Sequence, residues 1–106
     1  MSIKSPQSLI SEALNQVKTI SAEEAFELSE NNKCNLIDIR DGLELEREGV
    51  VENSFHISRG LLEFSIHPDS PFIQKNGIDL DKELVLFCAA GGRSALAAKT
   101  LKEMGF

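Results

Sequence analysis

Residues 84–99 read LVLFCAAGGRSALAAK, and the order of residue types in this stretch decides the fold. Leu84 to Phe87 form an unbroken apolar run, the pattern of a strand covered on both faces. Cys88 ends that run. Ala89, Ala90, Gly91 and Gly92 follow, small enough for the backbone to curl tightly, and both glycines can take positive φ at little cost. From about Ser94 to Met104 the residues favour helix, and Gly105 is placed as its stop. Strand, tight loop and helix are the building unit of parallel α/β sheets, which bind ligands beyond the carboxyl ends of their strands. Cys88 stands at that edge.

Outward from this unit, residues 36–39, LIDI, give a second apolar strand interrupted by Asp38. If the two strands are parallel neighbours, Asp38 or Arg40 reaches the same edge as Cys88. Residues 7–17, QSLISEALNQV, set Leu9, Ile10, Ala13, Leu14 and Val17 on one helical face, and VKTI after them reads as a short strand. Ser21 with Glu24 three residues on forms a capping box that opens a helix through about Leu28. The charged LELEREG after Asp41-Gly42 reads as a short helix with a solvated face. Phe55 to Ile57 reads as a brief strand, RGLLEFSI as a helical turn or two, and HPDSP and KNGIDLDKE as loops. Strands separated by helical segments predict an α/β fold, a parallel sheet flanked by helices on both faces. One domain is expected over residues 1–106, with a core from about residue 18.

Composition narrows the function classes. With 42% hydrophobic and 26% charged residues, the chain of 106 residues has the make-up of a soluble globular protein. A net charge of −6 argues against nucleic acid or an anionic membrane as partner, since phosphate recognition needs a basic surface. No apolar run approaches the roughly 20 residues of a membrane span, and MSIKSPQSLISEAL lacks the apolar core and cleavage site of a secretory signal. Cys34 and Cys88 are too few for a disulfide framework, so a reducing cytoplasm is the expected location. His56 and His67 do not combine with these cysteines at tetrahedral-site spacing. No metal or other cofactor is expected.

Two readings of Cys88 compete: a packed cysteine at the end of a buried strand, or a reactive sulfur held by its loop. If the loop wraps the sulfur, successive N–H groups point inward and form an anion-binding concavity. The following helix adds its positive N-terminal end, and Arg93 adds a full charge. All three favour thiolate over thiol, and the same cradle would hold a persulfide. Four residues separate Cys88 from Arg93. Cysteine phosphatases use one more, so the shorter loop suits a smaller group such as a single sulfur. Cys34 has no glycine loop or adjacent cation and reads as a packed thiol.

The loop with its flanks resembles the active-site strand, loop and helix of rhodanese domains, the sulfurtransferase family. LIDIRDGLELEREG resembles the family's strand, Asp-x-Arg, short helix and Gly; FHISRGLLEFSIHPDSPF resembles a compact bacterial single-domain subgroup. Together the likeness covers about residues 18–106. It implies that Cys88 is the nucleophile and carries a persulfide, with Ala89, Ala90, Gly91, Gly92 and Arg93 as the cradle. It further implies a small sulfur donor such as thiosulfate and a thiol or cyanide as acceptor. Asp38 and Arg40 would support the loop from beneath, with Glu44 or Glu46 as partner of Arg40; Arg59 could line the cleft and meet an anionic substrate, but an exposed or structural arginine is the favoured account. The chain departs from the family in three places. The usual Gly-His-Ile-Pro-Gly-Ala reads GVVENS at residues 49–54, and Gly92 stands where the subgroup commonly has an aromatic. The chain also stops at Phe106, where the family continues into another strand and helix. With that strand missing its neighbours have unpaired edges, which makes a homodimer or strand exchange an expected partnership. A non-catalytic rhodanese-like module that binds a partner or senses sulfur oxidation state is the alternative function.

Overall fold

A computed structural model describes residues 2–106. Its centre is a three-stranded, all-parallel sheet of β1 (Cys34–Asp38), β2 (Ser54–His56) and β3 (Glu83–Phe87), in the order β2-β1-β3. β1 is buried at every position, and because successive side chains alternate between faces, both its faces are covered. Ile37 aligns with Leu86 on one side and Phe55 on the other. Ile37, Ile39, Ile57, Leu62, Ile66, Ile73, Ile78, Ala97 and Leu101 form the core.

The helices begin where the chain supplies caps. α1 (Pro6–Leu14) starts with Ser5 accepting from the Ser8 amide and with Pro6 in its first turn. It is shorter than the 7–17 read from periodicity, leaving Val17 outside. α2 (Ala22–Glu30) is capped by Ser21, whose Oγ accepts from the Glu24 amide at 3.1 Å. α3 (Gly42–Glu48) opens with the Asp41/Glu44 capping box. A 3₁₀ turn (Arg59–Leu61) runs into α4 (Leu62–Ile66). α6 (Gly92–Met104) ends at Gly105, φ 110°, and packs along α1.

Three expectations are corrected. VKTI is not a strand: Lys18, Thr19 and Ile20 have no ladder partner, and an extended segment becomes a strand only beside another. Residues 71–76 form a helix, α5 (Pro71–Asn76), capped by Ser70 at one end and by left-handed Gly77 at the other. α6 begins at Gly92 rather than Ser94, so Arg93 lies in its first turn. β3 lies at an edge of the sheet. No helix among the described residues is long and apolar enough to cross a membrane.

Candidate active site

β3 delivers Cys88 to the carboxyl end of the sheet. The ladder continues to the last strand residue, where the Ile39 amide donates to the Phe87 carbonyl at 3.1 Å. The chain then turns through Gly91, whose φ of 94° is left-handed and readily adopted by glycine. Gly92 is in ordinary helical conformation instead, against the expectation for both glycines.

The turn directs donors at sulfur. The Gly91 amide donates to Cys88 Sγ at 3.2 Å; the thiol donates to Ser94 Oγ at 3.6 Å, and the Ser94 hydroxyl in turn donates to the Gly91 carbonyl at 3.1 Å. Burial pushes the Cys88 thiol up. The Ser94 hydroxyl and the amides of Ser94, Gly91 and Ala90 outweigh it, and the net shift is below the ordinary thiol value. The sequence alone does not single out Ser94 as a site residue. Its signal is local: it falls in the first turn of the helix that follows the loop.

Arg93 is tied to α3. Its Nη1 and Nη2 donate to Glu44 Oε1 and Oε2 at 2.6 and 2.9 Å, a bidentate pair that fixes the guanidinium plane. Glu44 also accepts from the Asp41 amide, and the Arg93 bonds first, then this one, hold its carboxyl at about 2.

Asp38 is fully buried and takes three groups of Arg40: the backbone amide at 3.0 Å, Nε at 3.0 Å and Nη2 at 2.8 Å. Arg40 also donates from Nη2 to the Gly49 carbonyl and from Nη1 to Glu48 at 3.4 Å. The second carboxylate is therefore Glu48, not Glu44 or Glu46. On a helix, Glu44 and Glu48 are one turn apart on the same face, so α3 serves both arginines. Arg59 pairs with Glu63 at 2.7 Å and is not a wall of the cleft beside Cys88. That cleft, about 320 Å³, is lined by Arg40, Glu48, Gly49, Val50, Val51, Phe87, Cys88 and Ala89.

Cys34 begins β1 opposite Glu83, at the far end of the sheet, about 16 Å from Cys88 along the strand direction at ~3.3 Å per residue. It is buried, and burial raises its thiol. A packed thiol fits this position, and a direct disulfide with Cys88 does not. His56 Nε2 contacts the Arg40 carbonyl at 2.7 Å, and His67 Nδ1 accepts from the Asp69 amide.

The comparisons with known proteins agree with this geometry. The family model for the rhodanese-like domain matches residues 21–106. The chain belongs to the rhodanese-like family. It is 32% identical over 93 residues to a Bacillus subtilis (strain 168) protein named as a sulfurtransferase, YtwF, covering 88% of this chain and 79% of that one. Among solved structures it is similar to a Rhodopseudomonas palustris CGA009 protein of unknown function, described as a possible tyrosine phosphatase. There the TM-score is 0.83 and the identity 38%, covering 99% of this chain and 81% of the other. It is also similar to the polysulfide-sulfur transferase homodimer of Wolinella succinogenes, with TM-score 0.69 and 39% identity over 94% of this chain and 70% of that one. The homologues of this rhodanese-like chain support a sulfur-transferring role, with a donor and an acceptor as substrates.

Proposed function

We propose that this protein moves sulfane sulfur from a donor such as thiosulfate to a thiophilic acceptor, a cellular thiol or cyanide in an assay, through a persulfide on Cys88. The observation that carries the reading is the Cys88 sulfur itself, a strand-end thiol that receives the Gly91 amide and has its pKa lowered by its own loop. The thiolate attacks the outer sulfur of the donor. The donor's S–S bond breaks, its electron pair leaves with sulfite, and Cys88 keeps the sulfur as a persulfide. An acceptor thiolate then attacks that outer sulfur and returns Cys88 to thiolate, a ping-pong cycle.

Ala89 to Arg93 form the cradle in this reading. Gly91 makes the turn, Gly92 and Arg93 open the helix, and the Arg93–Glu44 pair anchors the loop to α3. Asp38 and Arg40 are positioning residues beneath the site, and Arg59 supports its own segment through Glu63. A phosphatase reading is disfavoured twice over: the loop is one residue short, and Arg93 is occupied by a carboxylate rather than free for phosphate. The competing reading, a rhodanese-like module without turnover, draws on the edge position of β3. That edge and the homodimer of the Wolinella neighbour also support self-association. Two free thiols suit a reducing compartment, for which we propose the cytoplasm.

The test is thiocyanate formation from cyanide and a sulfane donor by the folded chain. Turnover that falls to background in Cys88→Ser supports the enzyme. A folded wild-type chain that never exceeds Cys88→Ser, whichever donor is supplied, leaves the binding module.

A further inference from the structure

The charges around the cleft carry information about the donor. Arg40 is its only cationic wall residue, and that guanidinium already serves Asp38, Glu48 and the Gly49 carbonyl. Two carboxylates share one cation, so the cluster is one negative charge in excess. Arg93 is balanced by Glu44, and Arg59 by Glu63. The Cys88 thiolate adds a further negative charge when it is ready to react. Among the described residues the cleft therefore offers no unshared cation to an anionic donor, and Glu48, its exposed wall carboxylate, faces solvent. The remaining wall is apolar: Val50 is 68% exposed and Val51 40%. Branched aliphatic side chains left open beside a reactive sulfur suit the carbon part of a substrate better than a sulfonate-like head.

We propose that the preferred donor is an organic persulfide, R–S–SH, with an uncharged aliphatic R group resting on Val50 and Val51, and that Glu48 discriminates against dianionic donors. The proposal rests on sulfur transfer at Cys88 and narrows its donor. The Cys88 thiolate attacks the outer sulfur, and a new S–S bond forms as the old one breaks. The electron pair leaves on the inner sulfur as R–S⁻, which takes up the proton of the transferred sulfur. Charge and electrons balance with no added oxidant.

Single-turnover loading of reduced wild-type chain, followed by intact mass, compares a short alkyl persulfide whose R group is uncharged with thiosulfate. Each rate is divided by that of a free small thiol with the same donor, which removes intrinsic reactivity. The alkyl persulfide is expected to lead after this correction. The thiosulfate rate is expected to rise as ionic strength goes from about 0.01 M to about 0.15 M, over which the screening length falls from ~30 to ~8 Å, and to rise more steeply than that of the alkyl persulfide, which carries at most one negative charge. Glu48→Gln is expected to narrow the preference about fivefold, the factor for the one-charge difference between dianionic thiosulfate and a persulfide monoanion at ~4 Å in water-like surroundings. Val50→Asp is expected to reduce the advantage of the alkyl persulfide. A thiosulfate rate that falls with salt, or a corrected preference for thiosulfate, overturns the proposal. If neither donor loads Cys88, sulfur transfer at Cys88 itself fails, and the donor assignment with it.

Discussion

At the Cys88 sulfur, burial and hydrogen bonding pull in opposite directions, and the bonds win by a margin that depends on Ser94. The alkylation rate of Cys88 by a neutral reagent should therefore reach its thiolate plateau at lower pH than that of an ordinary cysteine. Ser94→Ala should move the midpoint upward, because the hydroxyl beside Sγ is lost while burial remains; an unmoved midpoint would reduce Ser94 to a packing residue. The Arg93–Glu44 pair behaves differently on acidification. Glu44 has its carboxyl held at about 2, below an ordinary 4.5. Its contribution is thus fully present above the ordinary value and lost only as pH falls toward 2, so mild acid silences Cys88 by protonation before it frees the loop arginine. Beneath the site, Arg40→Ala leaves Asp38 as an uncompensated buried charge and should cost about 3–5 kcal/mol in urea unfolding. A loss under about 1 kcal/mol, the range of an exposed pair, would mean that water reaches Asp38. The Asp-x-Arg motif is legible in the chain. Its closure by Glu48, and that of Arg93 by Glu44, are not, because three carboxylates on one short helix look equivalent until the helix is docked.

Local signals predict the elements well where the chain states both their ends. The Ser21 cap, the Leu84–Phe87 run and Gly105 each correspond to an observed boundary within a residue or two. α5 was hidden because its boundary residues, Ser70-Pro71 and Asn76-Gly77, are also loop-forming residues. VKTI failed for the opposite reason: its apolar pattern fits a strand, but pairing depends on a neighbour that local pattern cannot supply. The α1–α6 contact was equally invisible, and it explains Gly92. A Cβ at Gly92 would sit 2.9 Å from Ile10 Cδ1 with no backbone nearby, so a side chain from α1, not the backbone conformation, favours glycine there. Gly92→Ala should cost less than about 1 kcal/mol, because Ile10 Cδ1 is the end of a side chain that can turn aside and alanine gains helix propensity over glycine, and Ile10→Ala in the same chain should remove that cost. Thermal unfolding of the four variants of this cycle measures the coupling; strictly additive losses would show that Ile10 does not limit position 92.

Across the whole molecule, a central strand buried on both faces holds two functional edges in register. β1 carries Asp38 and Arg40 to the same end of the sheet at which β3 delivers Cys88. The parallel arrangement and the carboxyl-end position of the cysteine are readable from residues 36–39 and 84–99. The charge balance of the cleft and the exposure of Val50 and Val51 emerge only when α3 and the segment after it are placed beside Cys88. The central claim is that this sulfur is a carrier and not a packed thiol. Intact mass of the reduced chain before and after a sulfane donor, beside Cys88→Ser, tests it most directly. The account predicts a gain of one sulfur atom that is absent from Cys88→Ser and reversed by cyanide. A folded chain that gains no sulfur from any donor, or gains it equally in Cys88→Ser, would contradict it.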